Sequence, residues 1–159
     1  MQDYSSLHYS LGMEINHGKD SQSWFNLEGR HALDVTAGGH TLIVDQPEGM
    51  GGKDEGANPL QYELVSLGGC IGTIALIIAK QERINLKALS VDVEADIDTD
   101  YLMGKTTEGR AGFTEIRVNA HIDADMTAEE KEAFIERVDA RCPISDILAN
   151  NSNVVIKAD

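Results

Sequence analysis

The stretch Asn58-Pro59-Leu60-Gln61-Tyr62-Glu63-Leu64-Val65-Ser66-Leu67-Gly68-Gly69-Cys70-Ile71-Gly72-Thr73-Ile74-Ala75-Leu76-Ile77-Ile78-Ala79 organises the rest of this 159-residue chain. Asn58 is a residue type that caps helices, and Pro59 suits a first helical turn. Leu60, Leu64 and Leu67 then share one face, and the run from Ile71 to Ala79 is apolar almost all round, the pattern of a buried central helix. Charge takes over at Lys80-Gln81-Glu82-Arg83. Gly68-Gly69 interrupts the run just before Cys70. A helix restarting at that glycine pair would set unpaired N–H groups beside the Cys70 sulfur, and a helix start favours thiolate, the reactive form. A helix running straight through the glycines is the alternative, and it removes the argument.

Upstream, short alternating runs read as β-structure: Leu11–Asn16, Trp24–Leu27, Leu33–Thr36 and Thr41–Asp45, the last two joined by a Gly38-Gly39 turn that signals a hairpin. Residues 46–57 hold Pro47 and four glycines among charges and read as a loop. Downstream, Leu89–Asp98 and Phe113–Ile122 alternate with period two, as strands with one wet face do, around a polar hairpin loop at 99–112. Thr127-Ala128-Glu129-Glu130 is a capping box opening a helix with Phe134, Ile135 and Val138 on its inner face. Pro143 starts a short helix through Ile144, Ile147 and Leu148, and Asn153–Ile156 is expected as a closing strand. The order predicts one α+β domain over 1–159: N-terminal strands at about 11–45, a central helix region at about 58–82, and a β-β-α-α-β segment at about 88–157.

Hydrophobic residues make up 42% and charged residues 25%, ordinary globular values, and the net charge is −14. That excess repels phosphate backbones and anionic lipid surfaces, which argues against nucleic-acid and membrane partners. The N-terminal residues lack the basic-then-apolar pattern of a signal peptide, and the unbroken apolar segment Ile74–Ala79 is too short to span a bilayer, so a cytoplasmic location is expected. The five histidines are scattered and no Cys-x-x-Cys is present, so neither a metal nor another cofactor is expected. The glycine loop Gly49–Lys53 matches no phosphate-binding fingerprint, and no Gly-x-Ser-x-Gly elbow supports a hydrolase.

The chemistry therefore rests on the two cysteines, Cys70 and Cys142, the latter before Pro143 at a second expected helix start. Burial as small hydrophobes is the competing reading. A thiolate that attacks an O–O bond becomes sulfenic acid, and a second cysteine within reach condenses with it to a disulfide. Activation calls for a cation, and the candidates are Arg30, Lys53, Arg110 and Arg141. Glu63 lies seven residues before Cys70, on the same helical flank.

Asn58-Pro59 followed by the small and apolar run ending in Cys70, together with Cys142-Pro143-Ile144-Ser145, resembles the two signatures of the osmotically inducible protein C and organic hydroperoxide resistance family, OsmC/Ohr. The resemblance covers about Gly12 to Lys157 and implies antiparallel sheets wrapped around long central helices in an intertwined homodimer. It implies a cysteine-based peroxidase for organic hydroperoxides, with Cys70 peroxidatic and Cys142 resolving, recycled by an external dithiol such as a lipoylated protein. It also implies an assisting arginine, for which Arg30 stands in place, and a glutamate after the first motif's proline, where this chain has Leu60. That departure marks a divergent branch. It also motivates a second reading, a small-molecule binding or carrier protein with little peroxidase activity.

Overall fold

A computed structural model describes residues 32–37 and 39–158. The chain divides into two compact units, Met1–Tyr62 and Glu63–Asp159. The strands expected at Leu11–Asn16 and Trp24–Leu27 lie outside the described residues.

In the first unit, β1 (Leu33–Ala37) pairs antiparallel with β2 (His40–Val44), in the register Leu33↔Val44 to Ala37↔His40. Gly39 sits in the turn at φ +83°, a conformation glycine adopts without a steric penalty. The following loop contains a short 3-10 turn at Glu48–Met50 and is gathered by the buried Asp45 carboxylate. That carboxylate accepts the backbone N–H groups of Gln46, Lys53 and Glu55 at 2.8–3.0 Å.

Helix α1 (Pro59–Glu82) starts where its sequence directs. Gln61 donates its N–H to Asn58 Oδ1 at 2.9 Å, and Asn58 donates its own to Gln61 Oε1 at 2.8 Å, a reciprocal cap of two otherwise orphaned donors. The helix runs without a break through Gly68-Gly69, so the restart considered above does not occur and Cys70 stands in mid-helix. The reason lies across the interior: a Cβ on Gly68 would come within 3.2 Å of Val93 Cγ2 on the sheet. The glycine is there for close approach, not for a kink. Two interior glycines weaken a helix by about 1 kcal/mol each, and the burial of Leu67, Ile71, Ala75 and Ile78 along one face offsets that cost. At the far end Arg83 takes a left-handed conformation and Ile84 donates to Ala79 O at 2.8 Å, closing the helix. By length and composition the 24-residue helix is long and apolar enough to cross a bilayer, unlike the short segment singled out from sequence; its buried face instead forms a protein core.

Helix α1 is followed in the second unit by strands β3 (Leu86–Ile97) and β4 (Phe113–Ala124), antiparallel with Val93↔Val118 at their centre. The expected alternation holds. Val91 and Val93 face the core, and Asp92, Glu94 and Asp96 face water, where Arg117 donates to Glu94 at 2.8 Å and to Asp96 at 2.6 Å. The hairpin loop carries an unforeseen single-turn helix, α2 (Thr99–Leu102), capped by Asp98. Helix α3 (Ala128–Asp139) opens on the Thr127/Glu130 capping box, and α4 (Pro143–Ala149) follows after a short corner. The core joins Leu67, Ile71, Ala75, Ile78 and Ala79 of α1 to Phe134 and Val138 of α3 and to Cys142.

The closing strand expected at Asn153–Ile156 is not formed. Val154, Val155 and Ile156 are exposed, Ile156 by 91%. A run of apolar, β-branched residues becomes a strand only against a pairing partner, and among the described residues this segment has none.

Phe134 is fully buried at the α1–α3 contact. Phe134→Ala should lower unfolding stability by about 3–5 kcal/mol, read as a lower urea midpoint with unchanged slope. An unchanged midpoint would show that this contact does not hold the unit together.

Candidate active site

The two cysteines, 72 positions apart in sequence, meet at a sulfur–sulfur distance of 2.8 Å. Both are free thiols within the second unit. Closing a disulfide of about 2.05 Å from there takes a movement of less than about 1 Å. The meeting follows from packing. Cys70 lies on the flank of α1 between the buried Leu67–Ile71 stripe and the exposed Gly69 and Thr73, and is itself half-buried. Cys142 is 1% exposed and belongs to the core cluster.

Cys142 is also the N-cap of α4, as its place before Pro143 led one to expect. Its sulfur accepts the Ser145 N–H at 3.4 Å. The corner before it is closed by the Cys142 N–H donating to Asp139 O at 3.0 Å and by the Ser145 hydroxyl donating to the Asp139 carboxylate. Burial pushes the Cys142 thiol above its ordinary range, and the contact with Cys70 adds to this. The N–H groups of Ser145 and Ile144 pull the other way without overcoming it. Burial thus outweighs the helix-start effect. The Asp139–Ser145 clamp was not foreseen; its only sequence signal is a serine three residues after the capping cysteine.

The residues expected to assist are more dispersed. Arg30 lies outside the described residues. Arg141, next to Cys142 in sequence, donates from Nη1 to Gln81 Oε1 at 2.8 Å on the surface. Arg110 is exposed in the β3–β4 loop, and Lys53 belongs to the loop gathered by Asp45. Among the described residues no arginine is hydrogen-bonded to either sulfur. Glu63 is half-buried on the flank of α1 that carries Cys70, but two turns earlier, about 10 Å along the axis. Leu60, in the first turn of α1, is 36% exposed and offers no hydrogen-bonding group. A cleft of about 500 Å³ lined by Arg83, Asn85, Met126 and Arg137 among others lies at the opposite end of α1 and includes neither cysteine. No group of three or more His, Cys, Asp or Glu side chains suited to a metal occurs among the described residues.

Comparison with known proteins adds the family. No curated protein sequence matches the chain. Among solved structures, an OsmC-like protein from Mycoplasma pneumoniae superposes with a TM-score of 0.65 at 24% identity, over 74% of this chain and 79% of its own. An organic hydroperoxide resistance protein OsmC from Legionella pneumophila gives 0.60 at 25% identity, over 77% and 85%. An organic hydroperoxide resistance protein from Elizabethkingia anophelis gives 0.61 at 25%, over 77% and 84%. The family model described as OsmC-like protein matches residues 52–157, a span that holds α1, both strands of the second sheet and the whole cysteine pair. On that match and that shared fold, the chain belongs to the OsmC-like family.

Proposed function

We propose that the protein is a thiol-dependent peroxidase that reduces organic hydroperoxides through Cys70 and Cys142. The observation that carries this reading is the 2.8 Å approach of two free thiols, one half-buried and one fully buried. The hydroperoxide resistance proteins among its structural relatives support it.

The Cys70 thiolate attacks the distal oxygen of the hydroperoxide; the S–O bond forms, the O–O bond breaks, and the alkoxide leaves with a proton as an alcohol. Cys142 then attacks the Cys70 sulfenic acid, forming the disulfide and releasing water. A dithiol of the kind carried by lipoylated proteins reduces the disulfide and is itself oxidised. Arg30 is the cation assigned to the Cys70 thiolate. The reaction takes place in a single domain, in the cytoplasm, and needs no metal or cofactor. Cys70→Ser should cut dithiol-dependent hydroperoxide consumption by roughly a hundredfold or more. Cys142→Ser should leave one turnover intact and accumulate a sulfenic acid that dimedone traps. Unchanged consumption by Cys70→Ser would end the peroxidase reading.

Because burial holds Cys142 protonated above the ordinary thiol range, disulfide closure should be the pH-sensitive step. Raising pH increases the fraction of Cys142 present as attacking thiolate. Stopped-flow measurement of disulfide formation after one equivalent of hydroperoxide should therefore show a rate that still climbs above pH 9. A plateau below pH 8 would contradict the assignment of Cys142 as resolver.

The functional unit in this reading is a homodimer. One face of α1 supports it: Val65 is 65% and Leu76 63% exposed, and between them a Cβ on Gly69 or Gly72 would meet nothing within 4 Å. An apolar, charge-free helix face with two glycines lets a second helix approach closely. A second copy of the chain is the occupant. Leu76→Asp should convert a dimer to a monomer in light scattering after gel filtration; a wild-type monomer would refute this.

Leu60 in place of a carboxylate favours the second reading, a carrier for a small apolar ligand. Negligible hydroperoxide turnover by wild-type protein, with an apolar molecule recovered from it by mass spectrometry, would select that reading.

A further inference from the structure

Taking the cysteine pair as a disulfide couple, as above, we propose that an external thiol attacks that disulfide at Cys70 alone. The mixed disulfide of the reductive half-reaction is then always borne by Cys70, and Cys142 is always the leaving sulfur.

Thiol–disulfide exchange places the attacking thiolate in line with the bond it breaks, on the far side of the sulfur it attacks. The two sulfurs differ in what lies on that far side. Cys142 is 1% exposed and part of the cluster that includes Phe134 and Val138. Its remaining approach is occupied by the first turn of α4, through the Ser145 N–H at 3.4 Å. A thiol attacking Cys142 would have to come through the core. Cys70 stands at the margin of that core, half-buried, on the α1 flank that continues to the exposed Ser66 and Thr73. A thiol reaching it comes from solvent, with Cys142 directly opposite as the group to be displaced.

The electrons and protons balance. The reductant's thiolate forms a new S–S bond with Cys70 as the Cys70–Cys142 bond breaks. The electron pair departs on Cys142, where the Ser145 N–H already points, and the thiolate takes up a proton. The reductant's second thiol then attacks its own sulfur in the mixed disulfide, closes the oxidised dithiol and releases Cys70. Burial makes Cys142 a slower leaving group, since displacement is faster for more acidic thiols. That slows the step without redirecting it, because the competing attack has no path. Cys142 is accordingly shielded from mixed disulfides with any bulky cellular thiol.

The test uses wild-type protein oxidised with diamide, so that it does not depend on hydroperoxide chemistry. Glutathione is added briefly, the reaction is quenched in acid, and the denatured protein is blocked with N-ethylmaleimide and digested with trypsin. The two cysteines fall on separate peptides, residues 54–80 and 142–157. Glutathione should sit on the first and maleimide on the second, by roughly tenfold or more over the reverse. Equal labelling, a majority on the second peptide, or no disulfide after diamide overturns the proposal. A disulfide that forms with diamide but not with hydroperoxide ends the peroxidase reading while leaving the direction of attack to the same peptides. As a second measurement, Cys142→Ser should form a mixed disulfide with oxidised glutathione roughly tenfold or more faster than Cys70→Ser; comparable rates would refute the asymmetry.

Discussion

The second unit depends on one packed stripe: Leu67, Ile71, Ala75 and Ile78 along α1, against Phe134 and Val138 of α3. Each large side chain removed from water there contributes about 1.5–3 kcal/mol, and Ala75, fully buried, leaves room for the facing helix to come close. Cys142 is a member of the same cluster. Its distance to Cys70 is therefore set by core packing, through side chains that have no chemistry of their own. Packed interiors resist small displacements, so a pair held this way keeps its spacing without a ligand or a metal to fix it.

What was legible in the sequence and what was not divides along a physical line. Elements whose signals are local were readable: the Asn58-Pro59 start of α1, the Thr127 capping box, the glycine turn between β1 and β2, and the period-two strands β3 and β4. Cys142 at a helix N-cap was readable for the same reason. Features decided by a partner distant in sequence were not. Gly68-Gly69 could be read as a break or as continuous helix, because a glycine pair costs helix stability, and only Val93 opposite Gly68 shows why a glycine stands there without a kink. The apolar tail at Asn153–Ile156 has the composition of a strand but, among the described residues, no ladder to join. The clamp of Ser145 on Asp139 depends on the angle of the α3–α4 corner, which no spacing rule supplies.

The loss of the helix-start argument for Cys70 changes what must activate it. In mid-helix the backbone N–H groups around Cys70 are committed to helical hydrogen bonds, so no free donors lie beneath the sulfur. The two cysteines are thereby distinguished in the opposite sense from their sequence contexts. Cys142 has the helix end, yet burial holds its thiol high; Cys70 lacks the helix end, yet is the one solvent can reach. In the proposed cycle, accessibility separates an attacking sulfur from a resolving one more firmly than helix dipoles do.

The activating cation must then come from outside the sulfur pair, and the first turn of α1 does not help to place it. A carboxylate there would grip a guanidinium through two parallel hydrogen bonds and fix its direction. Leu60 can do neither, and Glu63 lies two turns before Cys70, about 10 Å along the helix axis. In the proposed reading, an arginine serving Cys70 therefore finds no carboxylate in the first turn of α1. In the proposed cycle, substrate and reductant reach that same sulfur in succession. With Cys142 sealed in the core, both half-reactions of the proposed cycle pass through Cys70.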